Sequence, residues 1–340
     1  MVARLIKQGT VILGIIVMEK VKRKLLFFKR TVKNDINLYR YFGLKIAFFD
    51  FIRNCVFHGT QTEFGKRFDK HNHQVIKEKC KKSYSEIVDK YKTLDFSANN
   101  IDYDCPIWVF WWQGFDEKLL PPIVKTCVDS IEKNRGKHRV IRVSKENYRE
   151  FISVPQYILD KFAENKISIT LFSDVLRMEL LAKYGGIWTD ATLFLTSELD
   201  EEIYRYPFYT IHHGLYADFH VCRGLWSTFF LGVGQDNPFP RFMKDFFEAY
   251  YKNEEMSICY LLLDVAIAIA YEEFSWFREM VDSVPINNSR CFELQDRINE
   301  KYDPQIFKDI TRNCSIHKLN YKYFFGNDLE SIGSYILRSN

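Results

Sequence analysis

The residue types best suited to chemistry fall close together between residues 171 and 196, in the segment LFSDVLRMELLAKYGGIWTDATLFLT. A helix is predicted at Ser173–Tyr184, because serine is a favoured N-cap residue and Gly185 can supply a left-handed C-cap. Asp174 and Arg177 are three residues apart, so both should project from one side of the first turn of that helix. Such a pair offers hydrogen-bond acceptors and donors together, which suits the recognition of a sugar through its hydroxyl groups.

A second polar pair lies in the apolar run Ile187–Leu195, which is predicted to be a strand. Asp190 and Thr192 are two residues apart and should therefore face the same side. Carboxylate and hydroxyl oxygens are ligands that Mg²⁺ or Mn²⁺ accepts, and a departing nucleoside diphosphate needs a divalent cation or cationic side chains. Each pair alone has a plainer explanation, a surface salt bridge or a turn. Their joint spacing predicts a sugar-nucleotide site.

Two further strands are predicted upstream, at Ile107–Trp111 and Arg139–Val143, with a helix between them. The order strand, helix, strand predicts a parallel α/β sheet, and ligand-binding loops in such sheets lie at the carboxyl ends of the strands. Trp111 and Gln113 belong to that edge. Because Trp112 is adjacent to Trp111, one of the two should face the core.

The formal net charge of +4 is unevenly spread, since basic residues outnumber acidic ones in residues 1–100 and acidic residues predominate in the remainder. A basic arm of this kind predicts an anionic partner. Within residues 19–60 the basic residues are mixed with apolar residues at helical spacing, namely Leu25, Phe28, Val32, Ile36 and Tyr39. This pattern fits either a helix packed on the body or a helix lying on an anionic membrane. It disfavours nucleic acid, for which the expected motifs are also missing.

The run Thr10–Met18 is too short to span a bilayer, and translation could start at Met18. The polar stretch Asp95–Asp104 is typical of a linker. We therefore predict a basic helical region at 1–95 and a main domain at 100–330. The eight cysteines form no CxxC pair, which predicts separate buried thiols in a reducing compartment rather than a zinc knuckle or a disulfide scaffold.

Two other polar features have both a functional and a plain interpretation. Asp264 lies in the otherwise apolar segment Tyr260–Tyr271, where a buried carboxylate needs a partner or a role. It is therefore a candidate catalytic residue that would orient the acceptor. His212 and His213 are adjacent, so a strand would send them to opposite faces, and a loop is the plainer interpretation.

The segment Ser173–Thr192 resembles the donor-site signature of the family-32 glycosyltransferases and of their capsular polysaccharide synthesis branch. That signature consists of a Ser-Asp-x-x-Arg helix start, a Gly-Gly turn, an aromatic residue and an Asp-x-Asp or Asp-Ala-Thr strand. The upstream text IWVFWWQGFDEKLLPPIVKTCVDSIEKN and the later IHKLNYK at Ile316–Lys322 also resemble the capsular branch. The resemblance covers about residues 100–325.

The resemblance implies a GT-A fold, with a single Rossmann-like, mostly parallel sheet flanked by helices. It also implies transfer of a hexose, with retention of configuration, from a nucleotide sugar (a UDP-sugar above all) to a surface polysaccharide or lipid-linked glycan. At the matching positions, Asp174 and Arg177 would hold the donor sugar. Trp111 would stack on the nucleotide base with Gln113 beside it, and Lys318 would bind the diphosphate.

The resemblance further implies a divalent cation, Mn²⁺ or Mg²⁺. Asp190 would contact the ribose or the ion and is the main catalytic candidate, and Thr192 and His317 would complete the metal shell. Thr192 stands where the general family pattern has a second Asp, and a neutral hydroxyl binds a divalent ion more weakly than a carboxylate does. This departure would also suit an alternative, a non-catalytic carbohydrate-binding or scaffold subunit. The basic arm would place an enzyme on the cytoplasmic face of the cell membrane, as a peripheral protein.

Overall fold

The computed structural model describes residues 22, 25–56, 62–94, 98–214, 218–322 and 329–338. The chain forms two compact units, Met1–Ile76 and Lys77–Asn340. The apolar run Thr10–Met18 lies outside the described residues. In the expected linker Asp95–Asp104, residues 98–104 contain neither helix nor strand. Within the described ranges, no helix combines the length and the apolarity that a membrane span requires.

The described residues of the first unit are mainly helical, as predicted for the basic arm. Helix α1 covers residues 25–42, α2 covers Leu44–Phe51, and a π-helical turn at Ile52–Val56 follows. The buried side of α1 carries Thr31, Asp35, Leu38 and Phe42. The apolar residues of the predicted face instead point outward, with Leu25, Phe28, Ile36 and Tyr39 all about half exposed or more.

The remaining elements are helices and strands, with a short 3₁₀ turn at Glu201–Arg205. In chain order they are α3 (Glu63–Ser83), α4 (Ser85–Lys92), β1 (Ile107–Phe110), α5 (Pro122–Lys133), β2 (Val140–Val143), α6 (Tyr148–Phe151), α7 (Gln156–Ala163), α8 (Ile169–Tyr184), β3 (Gly186–Asp190), β4 (Leu193–Leu195), β5 (Phe208–Thr210), β6 (Phe230–Val233), α9 (Pro238–Asn253), α10 (Leu262–Glu273), α11 (Ser275–Ser283), α12 (Glu293–Asp296), α13 (Pro304–Arg312), β7 (Ile316–Lys318) and α14 (Ile332–Arg338).

The main sheet has five strands in the order β2-β1-β3-β6-β5. Strand β1 pairs in parallel with β2 and with β3, while β6 is antiparallel to both β3 and β5. Four strands therefore run in one direction, which confirms a mostly parallel sheet flanked by helices. The predicted strands Ile107–Trp111 and Arg139–Val143 match β1 and β2 to within one residue at one end.

The predicted strand Ile187–Leu195 is two strands rather than one. Strand β3 ends at Asp190, a turn occupies Ala191 and Thr192, and β4 then leaves the main sheet. Strand β4 pairs with β7 in a separate antiparallel ribbon, with Leu193 opposite Lys318. The unbroken apolar character of the run conceals this change of sheet, because both strands are buried.

Helix α8 begins earlier than predicted. Ser168 is its N-cap, and the Ser168 side chain accepts a hydrogen bond from a backbone N–H of the first turn. Ser173 lies inside the helix and donates its hydroxyl to a backbone carbonyl one turn back. Asp174 is therefore past the first turn. Gly185 is the C-cap residue, as predicted, but its φ of +63° and ψ of −154° lie outside the left-handed helical region and suit glycine alone.

The turn between α8 and β3 can only be made by glycine at its second position. Gly186 has a φ of +96°, and a Cβ atom there would lie 2.5 Å from the carbonyl oxygen of Pro106. This close approach brings the start of β3 against the start of β1, so the strand ends that follow share one edge of the sheet.

The cysteines are all free thiols, but only some are buried as predicted. Five of them are buried (Cys80, Cys105, Cys127, Cys291 and Cys314), and Cys55, Cys222 and Cys259 are partly exposed. Burial raises the pKa of the Cys80 and Cys105 thiols to about 12, so they stay protonated and serve as small apolar side chains.

Candidate functional site

Arg177 connects the polar residues of α8 with the end of β3. Its Nη1 atom donates to Asp174 Oδ1 at 3.1 Å and its Nη2 atom donates to Asp190 Oδ1 at 3.4 Å. The guanidinium carbon lies 4.7 Å from the centre of the Trp188 ring, and the side chain is 5% exposed. A planar, permanently charged group with donors on two sides can hold two carboxylates in fixed positions.

Asp190 lies at the carboxyl end of β3 and uses both carboxylate oxygens. Besides Arg177, its Oδ1 atom accepts from Trp188 Nε1 at 3.1 Å, and its Oδ2 atom accepts from Lys318 Nζ at 2.6 Å. Burial alone would raise the pKa of this carboxyl, but the charges of Lys318 and Arg177 outweigh it and hold the pKa below its usual value. Asp190 is therefore ionised at neutral pH.

Lys318 lies between Asp190, the last residue of β3, and Thr192 in the β3–β4 turn. Its ammonium group contacts Asp190 Oδ2, and it also donates to Thr192 Oγ1 at 2.8 Å. On another side the nitrogen lies 5.3 Å from the centre of the Phe229 ring. The pairing of β7 with β4 makes this contact possible, because it carries Lys318 to the turn from the far end of the sequence.

Two further carboxyls lie near Arg177 and are more weakly ionised. Burial raises the pKa of Asp174 to about 7, even though the neighbouring Arg177 opposes the shift. Burial likewise raises the pKa of Asp264 to about 6, against the hydrogen bond from Trp226 and the charge of Arg177. The Trp226 indole donates to Asp264 Oδ1 at 2.9 Å, so this carboxylate has the buried partner that its apolar helix requires.

The two tryptophans after β1 have different surroundings. Trp112 packs edge-on against Phe162 and Phe172 with ring centres 5.0 and 5.6 Å away, so it is the one that faces the core. Trp111 and Trp112 are both partly exposed, and the Trp111 ring meets Tyr321 edge-on at 5.0 Å.

Register places Trp111 and Gln113 at the same edge as the charged residues. Phe110, the last residue of β1, is the register partner of Asp190 in the parallel pair β1–β3. Trp111 therefore follows directly beyond the level of Asp190, and the exposed Gln113 lies two residues further along. This is the edge at which open α/β sheets bind their ligands.

His317 does not join the residues with which it was expected to bind a metal ion. Successive residues of a strand point to opposite faces, so His317 and Lys318 diverge. The imidazole is fully buried, its Nδ1 atom lies 3.8 Å from Cys314 Sγ, and burial lowers its pKa to about 4. His317 is thus a neutral core residue on the other side of the ribbon.

The described residues do not fit the expected divalent cation. They contain no group of three or more His, Cys, Asp or Glu side chains that could hold a metal ion. Asp190 and Thr192 do converge as the sequence predicted, but they converge on the ammonium group of Lys318. One carboxylate and one hydroxyl, both already bound to an ammonium group, would leave most ligands of Mg²⁺ or Mn²⁺ to be supplied by water or by a substrate phosphate.

The adjacent histidines 212 and 213 lie in a segment without regular structure, as the plainer interpretation predicted. His212 Nδ1 bonds the Val284 carbonyl at 2.9 Å, and His213 Nε2 bonds Ser227 Oγ at 2.7 Å. Their ring nitrogens serve separate partners, so the pair does not form a shared site.

Sequence reasoning missed the aromatic residues that support the charged cluster. Trp188 is two residues before Asp190, and this spacing on one strand face could have identified it. Trp226 and Phe229 come from the segment before β6, and no local pattern links them to Asp264 or Lys318. The separate cleft of about 660 Å³ near Tyr103 and Tyr204 contains none of the predicted site residues.

Comparison with known proteins places these observations in a family. Curated proteins give no match to the chain. Among solved structures, the chain is similar to "PaToxG Glycosyltransferase", at 15% sequence identity and a TM-score of 0.35, over 70% of this chain and 95% of that chain. The family model described as "Capsular polysaccharide synthesis protein" matches residues 58–337, which include every candidate site residue. The chain therefore belongs to the capsular polysaccharide synthesis protein family.

Proposed function

We propose that this protein is a glycosyltransferase of the family-32 type that moves a hexose from a nucleotide sugar, preferably a UDP-sugar, to a capsular or other surface polysaccharide. The observation that carries the proposal is the double contact of Arg177 with Asp174 and Asp190, at the edge of the sheet where Trp111 and Lys318 also lie. Membership of a capsular polysaccharide synthesis family supports the glycan acceptor.

Each part of a nucleotide sugar has a chemically suited partner in this cluster. Asp174 and Arg177 offer an acceptor and donors to the hydroxyl groups of the hexose. Trp111 offers a ring face to the base, with Gln113 beside it for hydrogen bonding. Lys318 offers an ammonium group to the diphosphate. These assignments require the donor to lie across the carboxyl ends of β1 and β3.

The proposed reaction exchanges one bond at the anomeric carbon and moves one proton. The bond between the anomeric carbon and the diphosphate oxygen breaks, and its electron pair leaves with the nucleoside diphosphate. The acceptor hydroxyl oxygen bonds to the anomeric carbon, and its proton passes to the departing diphosphate. Lys318 and Arg177 stabilise the charge that develops on the leaving group. Transfer is proposed to retain the anomeric configuration, and Asp264 is proposed to orient the acceptor.

The first unit is proposed to dock on the anionic inner face of the cell membrane, beside a lipid-linked acceptor. In helix α1 the consecutive side chains of Leu25, Leu26, Phe27 and Phe28 are each about half exposed, and the exposed Lys29 and Arg30 follow directly. Exposed apolar residues next to basic ones are typical of interfacial helices. The pattern supports peripheral attachment of residues 19–60.

A donor screen tests the proposed function. Purified full-length protein is incubated with UDP-, GDP- and TDP-sugars and a capsular glycan acceptor, and free nucleoside diphosphate is measured. Nucleotide release that depends on the acceptor supports the transferase. Binding of a nucleotide sugar without release, across all donors, would instead favour the non-catalytic carbohydrate-binding subunit.

A further inference from the structure

The ammonium group of Lys318 occupies the space in which the sequence placed a metal ion. It lies 2.6 Å from Asp190 Oδ2 and 2.8 Å from Thr192 Oγ1, the two oxygen ligands of the expected metal site. The third expected ligand, His317, is on the opposite face of the β4–β7 ribbon. A monovalent cation that belongs to the chain itself therefore stands between the two oxygens.

The remaining coordination capacity of this site is small. Asp190 Oδ1 already accepts from Trp188 and Arg177, so only its Oδ2 atom faces Lys318. A divalent ion would have to displace the ammonium group and would gain one carboxylate oxygen and one neutral hydroxyl. Mg²⁺ is usually bound by one or two carboxylates together with water and substrate phosphates, so the protein's own share of this site is at the lower limit of that range. Exchange of Lys318 for a metal ion would therefore break both contacts of the ammonium group and give the ion only two oxygen ligands from these residues.

Lys318 also keeps the capacity to bind an anion. An ammonium group has three N–H donors, and Asp190 and Thr192 use two of them. The side chain is 23% exposed, so the third donor can reach a bound phosphate oxygen. Arg177 lies across Asp190 from Lys318 and adds a second permanent positive charge to the same cluster.

We propose that Lys318, together with Arg177, supplies the positive charge that a divalent cation would otherwise supply, so that nucleoside diphosphate binding and hexosyl transfer proceed without a divalent metal. This inference rests on the proposed donor site. The inference concerns which cation acts at the donor site and does not concern whether the site exists. The inference can therefore fail while the proposed donor site stands.

The direct test measures nucleotide affinity with and without a divalent cation. UDP is titrated into the wild-type protein by isothermal titration calorimetry, first in EDTA and then with Mn²⁺, and GDP and TDP are titrated in the same way. Equal dissociation constants within about three-fold, or weaker binding with Mn²⁺, support the proposal. A UDP affinity that rises by more than about three-fold when Mn²⁺ is added overturns the proposal. This threshold is well under the ten-fold change in affinity that corresponds to about 1.4 kcal/mol.

Substitution of the lysine provides the second test, with an exposed lysine as the control. Lys318→Met should weaken UDP binding in EDTA by about 10- to 100-fold, the range expected for loss of a charge-assisted hydrogen bond. Lys318→Arg, which keeps the charge, should lose less. Lys90→Met removes a contact of the same length, the 2.6 Å ion pair of Lys90 with Asp245, which involves none of the proposed site residues. This variant should bind UDP as the wild type does. Wild-type affinity in Lys318→Met would overturn the proposal.

The outcomes separate this inference from the proposed function. Binding that appears only with Mn²⁺ would leave the donor site standing and refute the role given to Lys318. Binding of none of the three nucleotides, in EDTA or in Mn²⁺, would refute both. Nucleotide release from a donor sugar in EDTA, at the rate seen with Mn²⁺, would extend the support from binding to transfer.

Discussion

The Arg177 guanidinium donates to Asp190 from a helix that ends just before the strand carrying Asp190, so the two residues lock the α8–β3 junction through a charged contact. The same guanidinium holds Asp174 on the helix itself. The position of the Asp174 carboxylate on α8 and that of the Asp190 carboxylate at the end of β3 therefore both depend on Arg177. A substitution of Arg177 should disturb both carboxylates.

Replacement of Arg177 should impair donor binding and turnover together. Arg177→Lys keeps one positive charge but cannot donate from two sides to Asp174 and Asp190. We expect transfer to fall by about 10²-fold, the lower end for loss of a preorganised charge stabiliser. Steady-state kinetics with varied donor measure this, and Arg149→Lys, at an exposed position on α6, is the control. An Arg177→Lys enzyme with wild-type kcat/KM would contradict the bridging role.

Trp111 and Trp112 should separate binding from stability. Trp111→Ala should weaken nucleotide binding, since stacking of a base on an aromatic ring contributes about 1–3 kcal/mol, and should leave the melting temperature nearly unchanged. Trp112→Ala should do the reverse, because Trp112 packs against Phe162 and Phe172 and its loss should cost about 3 kcal/mol of stability. Thermal denaturation and UDP titration of both variants distinguish the roles. Equal effects of the two changes on affinity would count against base stacking at Trp111.

The raised pKa of Asp174 predicts a pH-dependent stability. A carboxyl whose pKa rises from its ordinary value of 3.8 to about 7 on folding binds more protons when folded, so its contribution to stability falls as the pH rises between those values. The slope for one such group is at most about 1.4 kcal/mol per pH unit. Asp174→Asn removes the group, and its free energy of unfolding should decline less from pH 5 to 7 than that of the wild type.

Chemical denaturation at several pH values measures this difference. Asp264 remains in the Asp174→Asn variant, and its own raised pKa of about 6 should leave part of the slope in place. The exposed Asp296→Asn variant serves as a control for loss of an aspartate, because the pKa shift at Asp174 depends on burial. Parallel pH profiles for wild type and Asp174→Asn would show that Asp174 is already ionised in the folded protein.

The arm should bind anionic vesicles more tightly than neutral ones. Lys29→Glu with Arg30→Glu should weaken binding to phosphatidylserine-containing vesicles, since each basic residue near the surface contributes about 1 kcal/mol. Added salt should weaken wild-type binding for the same reason. Vesicle sedimentation measures both effects, with Lys252→Glu, an exposed change at the end of α9, as the control. Equal binding of the wild type to neutral and anionic vesicles would refute an electrostatic membrane partner.

Local sequence patterns were sufficient for the parallel strands and for the residue cluster at their ends. The aromatic run at Ile107–Phe110 and the alternation at Val140–Val143 have the composition of strands, and the structure contains both. The spacing of Asp174 and Arg177 on α8 was likewise readable, because residues three apart on a helix are neighbours whatever the position of the cap.

Features that depend on distant pairing were not predictable. The sequence predicted Ser173 as the N-cap of α8, whereas the structure has Ser168. Both serines precede apolar helical residues, so the local pattern does not distinguish them and packing decides. The break after Asp190 arises because β4 finds a partner in β7, more than a hundred residues later. The register of the β4–β7 pair also decides which of His317 and Lys318 faces Asp190. Residue type alone does not reveal this register, so the sequence could not assign the two residues correctly.

If the cluster around Asp190 performs sugar transfer, removal of the Asp190 carboxylate should nearly stop the reaction, and one comparison of variants measures this most directly. Nucleoside diphosphate release and glycan product are measured for the wild type, Asp190→Ala and Asp129→Ala, the last at a partly exposed i,i+4 ion pair on α5. Asp190→Ala should lower the transfer rate by about 10²–10³-fold while circular dichroism shows an intact fold, and Asp129→Ala should match the wild type. Full transfer activity in Asp190→Ala would mean that the cluster is structural and that the donor site lies elsewhere.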